Sequence, residues 1–286
     1  MPFGDCCHTR RNRLFQREPP KESHLEMPTQ NLPQRRVRPV NWLIGLAAIA
    51  VYAISIRGTE FELEALKDGY PAIRDMVLKM VPPDWSYWPQ LIKPLIETIQ
   101  VGIISTVCAS LLSIPIAVLA SRNLTPSLYI YYPVRIVLTI FRAVSEIVWA
   151  LIFVVAVGLG PFAGVIAIII FSIGAQGKLL SEAIEAARGG PLEALASSGC
   201  PRWKAFMYGA WPAVWPNYIS ICLYFWDHNT RSAAILGFVG GGGLGYNLLF
   251  SLGSYQFPKA SLTIIVLVGL IAVIDQISQR LRKQVL

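Results

Sequence analysis

This chain is short of charge. Asp, Glu, Lys and Arg together make up 15% of its 286 residues, where a soluble globular domain carries about a quarter. It is also short of the groups that carry enzymatic chemistry. Of three histidines, His8 and His24 lie near the N-terminus and His228 stands alone, so no Ser-His-Asp set can be assembled. The five cysteines are Cys6, Cys7, Cys108, Cys200 and Cys222, with no C-x-x-C pair. Cys6-Cys7-His8 lacks the two-plus-two spacing of a zinc site, so no metal is expected. Gly174-Ala-Gln-Gly177-Lys178 has too few residues between its glycines for a phosphate loop, and Leu179 stands where Ser or Thr would bind magnesium. Gly158-x-Gly160 and the glycines from 240 to 245 have no βαβ context for a dinucleotide site. Gly160 and Gly164 read instead as points of close helix packing.

What the chain has is apolar length. Hydrophobic residues make up 54% and gather into runs able to cross about 30 Å of hydrocarbon. The fold class expected is all-α, a polytopic membrane bundle of about six spans. They cover 40–56, 95–120, 133–157, 162–180, 206–225 and 260–277. Pro115 within the second is tolerable in a packed bundle. Residues 1–38 form a basic, polar tail expected to be disordered. The first span, within 39–57, reads as an uncleaved anchor, because its polar leader is long and no small-x-small site follows. Residues 58–90 read as an amphipathic segment on the outer face, ending in Pro82-Pro83 and an aromatic belt of Trp85, Tyr87 and Trp88. Residues 91–286 form the core.

The net charge of +8 follows topology. Arg10, Arg11, Arg13, Arg17, Lys21, Arg35, Arg36 and Arg38 precede the first span, and Arg280, Arg282 and Lys283 follow the last. Lys178, Arg188, Arg202 and Lys204 flank one internal break, while residues 232–257 contain no Lys or Arg. Lys and Arg accumulate on the cytoplasmic side, so both termini are expected inside. Nucleic-acid binding would need a folded basic surface and is set aside.

The cytoplasmic break at 186–212 carries a motif. Glu193-Ala194-Leu195, then Gly199, then Pro212 thirteen residues later, resembles the coupling loop of ABC-importer permeases. Gly209 and Trp211 stand where that pattern has an aliphatic and a Leu. Gly189-Gly190-Pro191 breaks the incoming span, Pro191 suits a first helical turn, and Gly199 can adopt the left-handed conformation that ends a helix. A two-turn helix from Leu192 to Ser198 is expected, with Glu193 capping it or anchoring to a partner.

Further stretches resemble the permease subunit of phosphonate ABC importers. They are Val154–Gly164, Lys178–Glu185, Asn229–Ala234 leading into Gly237-Phe-Val-Gly240, and Ser278–Lys283. The resemblance implies a type I importer fold, a homodimer in the bacterial cytoplasmic membrane, and a cytoplasmic ATPase pair. It also implies a periplasmic or secreted binding protein. ATP and Mg would be bound by the ATPase, leaving this chain without a cofactor or a catalytic role. Glu193, Ala194, Gly199 and Pro212 would be the ATPase-coupling residues. Other readings are an ABC importer for another solute and a secondary transporter. The latter predicts two repeated halves with matched broken helices, which the sequence does not display.

Charged residues inside spans are costly and face the bundle interior. Arg142 and Glu146 are four apart in the third span and are expected to pair on one helix face. Asp227 and Arg231 share that spacing at the end of the fifth. These four are candidates for the translocation pathway, against a reading as two structural ion pairs. Gly240, Gly241, Gly242, Gly243 and Gly245 are candidates for an outer gate or hinge, against a plain turn. Trp149 is expected to pack.

Overall fold

A computed structural model describes residues 39–58, 63–125, 127–187, 190, 194, 195 and 197–285. The basic tail, with Cys6, Cys7 and His8, lies outside the described residues. The chain divides into two units, Met1–Glu64 and Ala65–Leu286. In the first, the opening apolar run forms α1 (Pro39–Gly58), whose side chains from 45 to 58 are exposed along its length. No strand occurs among the described residues.

The second unit carries the bundle. α2 (Leu63–Met80) is amphipathic, and the Trp85–Tyr87 turn is capped by Asp84, which accepts from Ser86 N–H. Then come α3 (Trp88–Leu119), α4 (Leu128–Ala143), α5 (Glu146–Val157) and α6 (Pro161–Ala186). A helical turn, Arg202–Ala205, and a π-helical turn, Phe206–Ala210, lead into α7 (Trp211–Leu236). α8 (Gly243–Gly253) and α9 (Phe257–Val285) complete the chain. Among the described residues four helical stretches are long and apolar enough to cross a membrane, or five when α4 and α5 count as one broken span. The apolar helix Gly45–Gly58 is shorter.

α3 and α6 are the central pair. α7 lies against both, α4 and α5 flank α6, and α9 flanks α7. One end of the bundle gathers the C-termini of α3 and α6 and the start of α7 around Ala117, Leu124, Leu180, Ile184, Phe206, Ala210, Val214 and Tyr218. The opposite end gathers the start of α3, the glycine-rich corner before α8 and the start of α9, where Asp84 N–H donates to the Pro258 carbonyl at 3.2 Å. The surface facing outward is broadly apolar, as a bilayer requires.

Two span boundaries differ from those expected. The third span is not one helix from 133 to 157; α4 and α5 meet at 88°. Val144 is extended (φ −85°, ψ 126°), and Ser145 starts a new helix by accepting from Ile147 N–H. A β-branched residue followed by a capping serine is a helix stop and start, written in residues that a hydropathy profile reads as uninterrupted. The fifth span does not end near Phe225. α7 continues to Leu236, and most of 232–257, expected as an outer loop, is helical.

Candidate functional site

The centre of the bundle is held by uncharged polar groups. On α3 the buried face is Thr98, Gly102, Ser105, Thr106, Ala109, Ser110, Ser113 and Ala117, small residues that let helices approach closely. Asn229 of α7, fully buried, accepts from Ser172 Oγ of α6 at 2.8 Å and donates to Thr106 Oγ1 of α3 at 2.9 Å. One turn toward the C-terminal end of α3, Ser110 Oγ donates to Gln176 Oε1 at 3.0 Å, and Tyr218 OH donates to the Ser110 carbonyl at 3.1 Å. The Gln176 amide nitrogen has no partner. Apart from Asn229, which opens one of the stretches of resemblance, these residues were not singled out in the sequence; their signal is a small or hydroxyl residue recurring every three or four positions.

The break between α4 and α5 places charge beside this spine. Glu146 opens α5, and its Oε1 accepts from Ser232 Oγ of α7 at 2.6 Å, while its Oε2 is buried without a partner. Arg142, in the last turn of α4, is exposed. Four residues no longer mean one helix face when the helix turns between them, so the expected Arg142–Glu146 pair is absent among the described ion pairs. Trp149 reaches back across the break: its Nε1 donates to the Phe141 carbonyl at 3.3 Å, and its ring stacks on Phe153. Close helix approach falls on Gly174, where a Cβ would lie 2.7 Å from Phe141 Cβ and 2.8 Å from Arg142 N. Gly160 has open space around it, and Gly164 makes only ordinary contact with Gly241, which corrects their expected packing role.

Asp227 and Arg231 form the expected pair at 2.6 Å. A third group joins them: Asp275 of α9 lies 3.8 Å from the same guanidinium nitrogen. Asp227 is buried and its Oδ1 has no hydrogen-bond partner. One cation therefore faces two carboxylates, and it links α7 to α9.

The glycines after α7 form a packed corner. Gly240, Gly242 and Gly243 have φ of 95°, 74° and 69°, a region closed to most side chains. Gly160 N–H donates to the Gly240 carbonyl at 2.9 Å. Glu97 and Thr98 of α3 accept from Gly243 and Leu244 N–H at 3.3 and 2.9 Å, capping α8. A Cβ on Gly245 would collide with the Ala234 carbonyl. A cavity of about 230 Å³ opens beside this corner, lined by Pro94, Glu97, Gly242, Gly243, Tyr246, Asn247 and Phe250.

At the other end Glu185 ties three elements. Its Oε1 accepts from Arg122 N–H at 2.9 Å just past α3, and its Oε2 pairs with Arg135 of α4 at 3.3 Å. Glu193 lies outside the described residues. Ala194 is exposed in a helical turn. Gly199 has φ 75°, and Cys200 N–H donates to the Leu195 carbonyl at 3.1 Å, the closing bond of a Schellman motif. Pro212 is exposed in the first turn of α7. The departures at Gly209 and Trp211 have a local account. Gly209 is buried in the π turn. Trp211 stands in an aromatic cluster with Phe206, Trp215 and Tyr218, ring centroids 5.3–5.6 Å away.

A broken mid-bundle span, a polar spine and an exposed helical turn ending at a left-handed glycine lie within a bundle of membrane-length apolar helices. Residues 113–286 match the family described as binding-protein-dependent transport system inner membrane component, and the chain belongs to it. HtxC of Stutzerimonas stutzeri, named for a phosphite transport system, is 38% identical over 244 residues, 85% of each chain. The phosphite transport system permease protein PtxC of the same organism is 30% identical, covering 87% of this chain and 89% of PtxC. The phosphate-import permease protein PhnE of Mycolicibacterium smegmatis is 37% identical over 72% of this chain and 39% of that longer protein. Among solved structures, the MetNI methionine ABC transporter in an inward-facing conformation shares the fold. Its TM-score is 0.60 at 18% identity, over 71% of this chain and 99% of that one.

Proposed function

We propose that this chain is the permease of an ATP-driven importer that moves a phosphorus oxyanion, phosphite or a phosphonate, across the cytoplasmic membrane. The observation that carries the reading is the match to HtxC and PtxC along nearly their whole length. The likeness to PhnE favours phosphate as the second reading for the cargo. A second copy of the chain completes the channel, both termini lie in the cytoplasm, and a binding protein delivers the solute from outside. ATP and Mg are bound by a partner ATPase pair, and this chain performs no chemistry of its own.

The segment from Glu193 through Ala194 and Gly199 to Pro212 is the seat of the ATPase. The exposure of Ala194, Gly199 and Pro212 supports that role. Arg142, exposed at the helix break, is the pathway residue best placed to meet an anion. Arg231 is better explained as a helix tie, because Asp227 and Asp275 already neutralise it. Glu146 faces the same break from α5. The corner at Gly240, Gly241, Gly242, Gly243 and Gly245 is a stiff outer closure.

The test is ATP hydrolysis by the reconstituted permease and ATPase, stimulated by binding protein loaded with phosphite, methylphosphonate or phosphate in turn. Stimulation by phosphite or methylphosphonate supports the first reading. Stimulation by phosphate alone supports the second, and stimulation by none of them overturns both.

A further inference from the structure

His228 is the one histidine among the described residues. It is half-buried on α7, on a helical stripe with the exposed residues Tyr224, Arg231 and Ile235. Its ring is clamped. Phe171 of α6 stacks on it, with centroids 5.7 Å apart and planes 13° from parallel, and Phe225 and Tyr224 close other sides at 5.8 and 6.3 Å. Its Nδ1 lies 3.5 Å from Ser232 Oγ, and that hydroxyl gives its proton to Glu146 Oε1. A hydroxyl whose proton is committed to a carboxylate can only accept from its other neighbour, so Ser232 turns a lone pair toward Nδ1. Nε2 makes no hydrogen bond among the described residues.

The charged surroundings are simple. α5 contributes Glu146, α6 the Phe171 ring, and on α7 itself Asp227 and Arg231 are engaged with each other and with Asp275 of α9. A carboxylate within the membrane needs a counter-charge, and the line of contacts from Glu146 ends on this imidazole. We propose that His228 contacts the transported oxyanion in the pathway. Its imidazolium donates from Nε2 to a phosphoryl oxygen, and Glu146 balances its charge through Ser232. The inference rests on the oxyanion reading and adds to it a residue that meets the cargo.

The experiment uses the full importer in proteoliposomes, with labelled phosphite, methylphosphonate and phosphate as cargo. His228→Phe keeps the stack on Phe171 and removes the donor. His228→Gln keeps a donor near the Nε2 position. Loss of one charge-assisted hydrogen bond from the transit step lowers uptake by His228→Phe at least about tenfold. Assembly and binding-protein-stimulated ATP hydrolysis persist, and His228→Gln, a neutral donor, recovers part of the lost uptake without reaching wild type. Uptake by assembled His228→Phe equal to wild type overturns the proposal. If the Phe variant fails to assemble, the Gln variant decides: an assembled His228→Gln importer that transports supports the donor role, and one that hydrolyses ATP but does not transport overturns it. A wild-type importer that carries none of the three anions overturns the cargo reading itself, and that result is read before any variant is compared.

Discussion

Trp149 Nε1 and the Phe141 carbonyl are joined at 3.3 Å across an 88° turn in the chain. In an unbroken helix that carbonyl would receive the N–H of residue 145. The turn removes this partner, and the indole supplies another from the far half of the break. Hydrocarbon offers no water to a bare carbonyl, so a broken span is stable at this depth only when such substitutes exist.

Trp149→Phe keeps the aromatic packing on Phe153 and deletes the donor. It is expected to lower the stability of the detergent-solubilised permease by about 1–2 kcal/mol, the cost of a buried carbonyl left unpaired. Thermal unfolding compared with wild type checks this, and an unchanged midpoint would remove the indole from the account of the break.

Gly174→Ala places a methyl against Phe141 and the Arg142 backbone, both closer than ordinary contact. Helix backbones cannot move apart cheaply in a packed core, and overpacking of this kind costs about 1–3 kcal/mol. Gly164→Ala, where the added Cβ meets Gly241 at 3.5 Å, is the control and is expected near wild type. The yield of folded permease by size-exclusion chromatography separates the two.

Arg231→Gln leaves Asp227 buried and without its partner. The expected loss is about 1–3 kcal/mol, and Asp227→Asn in the same chain is expected to restore much of it. Thermal unfolding of both variants and of the double variant forms a cycle. Loss of uptake in Arg231→Gln with unchanged stability would instead return Arg231 to the pathway.

Gly199→Val puts a β-branched residue at φ 75°. Left-handed backbone costs such a residue about 1–2 kcal/mol, so the Schellman closure on Leu195 opens. The expected outcome is an importer whose ATP hydrolysis no longer tracks uptake. Measured together in proteoliposomes, a normal ratio of uptake to hydrolysis would separate Gly199 from coupling.

Much of the fold was legible because apolar length is a strong signal. α3, α6 and α9 fall on their expected runs, α3 starting earlier and α6 and α9 ending later than expected. The Asp227–Arg231 pair was legible because both residues lie on one continuous helix, and the Gly199 turn because its geometry admits few residues. The break at Val144-Ser145 was not, since neither residue is polar enough to interrupt an apolar run. Its loss misled the reading of Arg142 and Glu146, whose spacing has meaning only on an unbroken helix. Asp275 is distant in sequence from Arg231, and no local pattern connects them. The continuation of α7 to Leu236 was hidden because Ser232-Ala233-Ala234 and the glycines beyond suggest a loop, whereas here small residues mark tight packing. The Asn229 spine was hidden because serine, threonine and asparagine carry no charge to draw attention.

The break at Val144-Ser145 also divides the third span mechanically. Its first half is fastened to the C-terminal end of α6 by the Glu185–Arg135 pair. Its second half runs into Gly158–Gly160, whose last residue hangs on the Gly240 carbonyl. The two halves are therefore separate helices, each fastened to a different part of the bundle, not a single rod. A pump whose two mouths must never stand open together has use for a span that does not carry the motion of one end rigidly to the other.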